Sequence, residues 1–349
     1  MNKILIHAPS LPGNGVFNTE ARDSYFQPFI YLKEKLRPLG YTLEMSDGLS
    51  LQDCAWVWFF DADSVSIKRG LVAQCKNLVK TTIKMPQLRD LYRECLAAGM
   101  EKRITLFLWE APAVSPGNWD PKLHKLFPLI FTWHDNYVDG RKFIKIHGPQ
   151  THQFPCVPNI SFLDKKLLVN ISMNKFSRHP RELYSARRAA IRYFEQNQPE
   201  NFDLYGVGWN QPTNFLEKLL PFTCQVYPSY RGVIINKWDV LPQYRFSLCY
   251  ENIHDEPGYV TEKIFDCMRA GCVPIYWGAS NITDYVDADA FVDRHKFKSN
   301  EELERYLLDI KEKDYVRFQE AIQDYLQSEL FAKFLPPSFA DTIIGALGI

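Results

Sequence analysis

The sequence predicts an α/β protein of two domains, each an open and mostly parallel sheet. Three observations lead there. Short apolar runs of strand length alternate with stretches of helical period in both halves of the chain. A stretch at 144–158, with Gly148-Pro149, Pro155 and Pro158 and no period, reads as the connection between the halves. A chain of 349 residues suits two domains of ordinary size, divided here as 1–155 and 156–349.

In the first half, residues 3–7 read as a strand, and 24–36 as an amphipathic helix with Phe26, Phe29, Ile30 and Leu36 on its apolar side. Gly40 ends that helix. Residues 41–45 and the aromatic-rich 55–60 follow as strands, 87–98 as a helix, and 104–109 and 127–132 as further strands. Polar residues stand where these strands stop. Asp61-Ala-Asp63 follows the third strand, and a metal-dependent transferase can hold a nucleotide through such a pair. Asp287-Ala-Asp289 has the same form, so the pattern is cheap, and its bland reading is a turn at a strand end, where aspartate is common. Glu110 follows the fourth strand and leads into a proline-rich loop through Pro112 and Pro116. Functional residues of parallel-sheet proteins collect at such strand ends, although a solvated loop carboxylate is the more common case. His134 and Asp135 lie beyond the fifth strand. Solvated turn residues are the preferred reading over a substrate contact.

The second half opens with a strand at 167–171 and a basic loop at 174–180. A helix at 182–195 carries Tyr184, Ile191 and Phe194 on one face and Arg187 and Arg188 nearer its start. A strand at 202–205 follows. Residues 246–250 are an apolar strand ending on Glu251 and Asn252. Thr261 then stands at the N-cap position of a helix with Ile264, Phe265 and Met268 on its apolar face, and 273–277 forms the next strand. A helix N-terminus offers free N–H groups and a positive dipole end to an anion. Lys263 in that first turn is unfavourable for the bare helix and makes sense if a phosphate arrives. Read from the pattern alone, Glu262 and Lys263 are equally well ordinary surface charges. The tail at 300–311 and 314–330 is helical, and from Ser328 it is expected to cross back to the first domain.

Composition excludes several classes. Lysine plus arginine equals aspartate plus glutamate at 41 each, so no net field draws nucleic acid or membrane. Hydrophobic residues at 46% and charged residues at 23% describe a soluble globular protein. No run approaches the length of a membrane helix, and the first residues are too short in apolar length for a signal peptide. Cys54, Cys249 and Cys272 fall in or beside apolar strands, which suits reduced core thiols and a cytoplasmic setting. Cys267 and Cys272 lack the second pair a zinc site needs.

The run Phe246-Ser-Leu-Cys-Tyr-Glu-Asn, then Gly258-Tyr-Val-Thr-Glu-Lys-Ile and Val273-Pro-Ile-Tyr-Trp-Gly, resembles the signature of the family-10 α-1,3/1,4-fucosyltransferases. The match is nearly continuous from Tyr244 to Gly278, and a weaker likeness runs from about Ile104 onward. The resemblance implies two Rossmann-like domains facing across a cleft, the GT-B arrangement. It implies transfer of fucose from GDP-fucose to a GlcNAc- or N-acetyllactosamine-type hydroxyl, with inversion. Glu110 matches the family's base. Lys263, Thr261 at the helix start and Arg187, with Arg188 as the alternative, match the diphosphate contacts. Glu262 would meet the ribose. Asn252 and Tyr259 would meet the fucose or its phosphate, and Glu251 the ring hydroxyls. Lys237 is a further donor contact, while His134 and Asp135 are weaker acceptor contacts. No cofactor is required, a divalent cation at most stimulating the reaction. A bacterial-type enzyme without an anchor is expected, with no nucleic-acid partner and no sign of peripheral membrane attachment. The alternatives are a transferase of another GDP-sugar on the same frame, or a non-catalytic glycan- or nucleotide-binding protein.

Overall fold

A computed structural model of the chain describes residues 1–9, 11, 15–17, 26–65, 89–151, 156–158, 160–212, 219 and 226–349. The chain divides into two compact units. One comprises Met1–Thr19, Phe29–Ile146 and Ala340–Ile349, and the other Glu20–Pro28 and His147–Phe339. The main division falls within the stretch at 144–158. No described helix is long and apolar enough to cross a membrane.

The first unit is built on a parallel six-stranded sheet. Its strands are β1 Asn2–His7, β2 Tyr41–Met45, β3 Cys54–Phe60, β4 Ile104–Leu108, β5 Leu129–Thr132 and β6 Phe143–Lys145, ordered β2-β1-β3-β4-β5-β6. All five residues of β4 are buried, and β3 is apolar throughout. A parallel sheet covered on both faces reads in this way, as a continuous apolar run. Helices α1 Gln27–Leu36, α2 Leu91–Ala97 and α3 Pro121–His124 accompany it. Residues 24–25 and 87–88 of the expected helices lie outside the described residues. The second of those helices begins at Leu91 because Asp90 caps it, its carboxylate accepting from the Arg93 N–H at 3.2 Å. Strand β6 falls where the sequence reads as connection.

The second unit has its own parallel sheet. Its strands are β7 Lys166–Ile171, β8 Phe202–Tyr205, β9 Tyr230–Gly232, β10 Tyr244–Tyr250, β11 Val273–Trp277 and β12 Val292–Asp293. The order is β12-β11-β10-β7-β8-β9, which is 3-2-1-4-5-6 when the six are numbered in chain order and read from β9. That is the doubly wound order, and its direction reverses between β7 and β10. Helix α4 Tyr184–Asn197 follows β7, and α5 Glu262–Arg269 follows β10. The remaining helices are α6 Asn300–Asp309, α7 Glu312–Leu326, α8 Glu329–Ala332 and α9 Pro336–Leu347. Phe194, Phe202, Phe246, Phe265, Ile275 and Tyr276 are buried together in the core of this unit. Each such side chain contributes roughly 1.5–3 kcal/mol by leaving water. The expected helix at 314–330 is two helices, since Ser328 starts a new one by accepting from the Phe331 N–H. Helix α9 lies beyond the expected helical tail. It opens on Pro336 and Pro337, which a first helical turn accepts because those N–H groups have no intrahelical partner.

Candidate active site

The sheet order reverses between β7 and β10, and open α/β sheets take their ligands at the carboxyl ends of the strands at such a point. Glu251 is the first residue past β10 and has no exposed surface. Its carboxylate accepts from the Thr261 N–H at 2.9 Å, from the Thr261 hydroxyl at 2.7 and 3.0 Å, and from Lys263 Nζ at 2.9 Å. These donors account for most of what a carboxylate can accept. Glu251 therefore sits one layer further back than expected. It holds the start of α5 and the Lys263 ammonium rather than presenting itself to sugar hydroxyls. Thr261 occupies the N-cap position, but its hydroxyl is turned to Glu251 and makes no capping bond to the helix. The first-turn N–H groups of α5 gain nothing from that side chain.

Lys263 and Glu262 form the accessible end of this group. Burial works against the Lys263 charge, but Glu251 and Glu262 outweigh it and hold its pKa above the ordinary lysine value. Burial would likewise raise the Glu262 carboxyl, yet the ammonium groups of Lys263 and Lys237 bring it below the usual range. Lys237 is not placed as a ligand contact. Its Nζ is tied to Asp266 on α5, a buried carboxyl that needs a counter-charge.

Arg187 and Arg188 separate cleanly. Arg187 is buried among Tyr184, Ala190, Ile191 and Phe194 on the inner face of α4, and its Nη2 donates to the carbonyls of Tyr250 at 2.5 Å and Glu251 at 3.0 Å. It thereby closes the end of β10. Arg188 points elsewhere. It donates to the Lys175 carbonyl at 2.7 Å and stacks over Phe176, 4.0 Å from the ring centroid. Asn252 and Tyr259 are joined, Asn252 Nδ2 donating to the phenol oxygen at 3.2 Å. The Tyr259 carbonyl in turn accepts from the Tyr276 hydroxyl at 3.1 Å.

Gly278, just past β11, closes the floor. A Cβ there would lie 2.4 Å from the Tyr276 oxygen and 2.5 Å from Cγ of Glu251. Gly278→Ala is expected to displace Glu251 and cost on the order of 1–3 kcal/mol, as overpacking does. Urea unfolding of the two proteins measures it, and equal midpoints would show that the floor yields freely.

In the first unit, Glu110 is half-buried beyond β4. The backbone of Trp109 and Glu110 is held by side chains instead of a strand. Asp61 Oδ1 accepts from the Trp109 N–H at 2.7 Å and the Glu110 N–H at 3.1 Å. Asn118 Nδ2 donates to the Glu110 carbonyl at 3.0 Å, and Trp133 Nε1 to the Trp109 carbonyl at 3.0 Å. Asp61 has φ 60° and ψ 168°, a region nearly reserved for glycine that costs roughly 1–3 kcal/mol. Burial raises its carboxyl to about 6 against the lowering effect of the N–H groups, with Glu110 adding to the rise. Asp61 is thus neither a bare turn residue nor half of a solvent-facing Asp-x-Asp pair, since Asp63 is turned outward. Sequence reasoning missed this role. The available signal was an aspartate at the end of a buried strand, level with a second strand-end carboxylate.

His134 and Asp135 are not solvated turn residues either. His134 is buried against Trp119, Trp133 and Tyr137, and its Nδ1 accepts from the Asn136 N–H. Asp135 pairs with Lys145 at 2.6 Å. Both carry packing, which leaves no support for an acceptor contact.

Similarity to solved structures defines the class. An α1,3-fucosyltransferase with GDP-fucose aligns over 100% of this chain and 90% of its own at a TM-score of 0.53 and 15% identity. A glycosyltransferase from Rickettsia africae ESF-5 aligns over 99% and 97% at 0.55 and 9% identity. The fold is that of two Rossmann-like domains, the GT-B class. Within it, residues 230–333 match the C-terminal model of glycosyltransferase family 10 (fucosyltransferase). An α-(1,3)-fucosyltransferase of Helicobacter pylori is 42% identical over 72 residues, 21% of this chain and 15% of that protein. An α-(1,4)-fucosyltransferase of Arabidopsis thaliana is 45% identical over 67 residues, 19% and 16%. The matched stretches thus span under a fifth of the length of these relatives.

Proposed function

We propose that the chain transfers L-fucose from GDP-fucose to a hydroxyl of a GlcNAc- or N-acetyllactosamine-type glycan, inverting the anomeric centre. One observation carries the reading. The family-10 segment contains β10, α5 and β11, whose ends bring Lys263, Glu262, Asn252 and Tyr259 to the point where the sheet reverses. Arg187 reaches the same point from α4. In this reading Lys263, Arg187 and the first turn of α5 neutralise the diphosphate. Glu262 accepts from the ribose hydroxyls, and Asn252 and Tyr259 meet the fucose or its phosphate. Glu251 holds Lys263 and Thr261 in place. The second domain binds the donor, and Glu110 of the first domain takes the acceptor proton.

Two lysine- and arginine-borne charges and a helix end meet the leaving diphosphate, so transfer is expected to need no metal. The test is transfer from GDP-fucose to N-acetyllactosamine, run with and without chelator, beside the melting shift given by GDP-fucose and by GDP-mannose. Fucosylated product in chelator and a larger shift with GDP-fucose support the reading. A larger shift with GDP-mannose would move the donor to another GDP-sugar. Loss of product with chelator, restored by manganese, would overturn the metal-free mechanism.

A further inference from the structure

Strand β4 stops at Leu108, so the sheet no longer holds the two residues that follow. Four backbone groups lie there, the N–H and C=O of Trp109 and of Glu110. Each is taken by a side chain from elsewhere in the first unit: both N–H groups by Asp61, one carbonyl by Asn118, the other by Trp133. Asp61 and Asn118 are joined to each other, Asn118 Nδ2 donating to Asp61 Oδ1 at 2.5 Å. Asn118 has no exposed surface and is fixed in turn. Its Oδ1 accepts from the Ala62 N–H at 2.6 Å and the Ser115 hydroxyl at 3.0 Å, and its carbonyl meets His124 Nε2 at 2.6 Å. The strained backbone of Asp61 is held by contacts on both sides, as the Asp61 N–H donates to the Phe107 carbonyl at 2.9 Å.

We infer that Asp61, braced by Asn118, is a positioning residue for Glu110. It fixes the direction in which that side chain leaves the strand, and it sets a second carboxyl group against it. The inference rests on the reading of Glu110 as the base. Ordering two backbone units in advance removes freedom the base would otherwise lose at each turnover. The second carboxyl acts electrostatically once it is ionised: above about 6 the Asp61 anion strengthens the affinity of Glu110 for the acceptor proton. Among the described residues, the ionisable groups around Asp61 are Glu110 itself, His124 behind Asn118, and the outward-turned Asp63. Burial holds the His124 pKa below its ordinary value, so near neutral pH it adds no positive charge.

Asp61→Asn is the test. An amide keeps the size and the oxygen that receives the two N–H groups, and removes only the charge. With GDP-fucose and N-acetyllactosamine, kcat is expected to fall about tenfold or more, with the KM for GDP-fucose unchanged. The acidic limb of the pH–rate profile should move to lower pH, since protonation of Asp61 at about 6 no longer enters it. In a Glu110→Gln background the same substitution should cost nothing further. A wild-type profile, or an equal loss in both backgrounds, would overturn the inference. If Glu110→Gln alone retains activity within a few-fold of wild type, the base reading has failed, and that outcome is separately visible. Should Asp61→Asn not fold, Asn118→Ser loosens the same brace while keeping the charge, and a fall in kcat that vanishes in a Glu110→Gln background is then the measurement.

Discussion

Lys263→Ala is expected to weaken both GDP-fucose and GDP by about ten- to a hundredfold, because both carry the diphosphate. A charge-assisted contact contributes on the order of 1.5–3 kcal/mol, which is that range in affinity. The Glu251 pair adds a second effect. Taking the ammonium away leaves a carboxylate with no exposed surface that Thr261 still bonds, with the Arg187 guanidinium as its remaining positive neighbour. Removing one partner of a buried pair is costly because the other charge remains. Lys263→Ala should therefore melt earlier as well as bind worse. Combining it with Glu251→Gln removes the stranded charge. The double variant is expected to recover most of the melting temperature while GDP affinity stays low. Calorimetry with GDP on the two variants separates the effects. Unchanged affinity in both would remove Lys263 from the donor site, and recovery of affinity in the double variant would make its role purely structural.

Much of this site was legible in the sequence, for an identifiable reason. Strands buried on both faces, such as 104–108 and 246–250, are continuous apolar runs, and the residue that breaks each run marks a strand end. Glu110, Glu251 and Asn252 are found in that way. Arg187 was also within reach. It lies three residues after Tyr184 and four before Ile191, on the stripe that packs inward, whereas Arg188 is turned about a hundred degrees away. Three features were not legible. Strands β6, β9 and β12 are two or three residues long, too short to carry a period. The layer in which Glu251 sits depends on Thr261 and Lys263, ten and twelve residues on, folding back over it. The grip of Asp61 on Trp109 and Glu110 joins residues 48 and 49 positions apart, a relation only the sheet order reveals.

Glu110→Gln is expected to lose about 10²–10⁴-fold in turnover, the usual contribution of a positioned acid–base group. A sugar hydroxyl is a poor nucleophile until its proton has a destination. A carboxylate within hydrogen-bond reach takes that proton as the new C–O bond forms, and an amide cannot. GDP affinity should be unchanged, because Glu110 belongs to the first unit and the proposed diphosphate contacts belong to the second. Glu110→Asp should also be slow. The Trp109 and Glu110 backbone is held at all four polar groups, so it cannot advance to make up for a shorter side chain. Single-turnover transfer and GDP affinity, measured on the same variants, test both points. Turnover of Glu110→Gln within a few-fold of wild type would place the base elsewhere. Asp135 is then a weak successor, since its carboxylate is paired with Lys145. Asp61 is the stronger one. It stands against Glu110 with its carboxyl raised to about 6, and a group with that pKa can accept a proton near neutral pH. In that case Asp61→Asn, not Glu110→Gln, would abolish transfer.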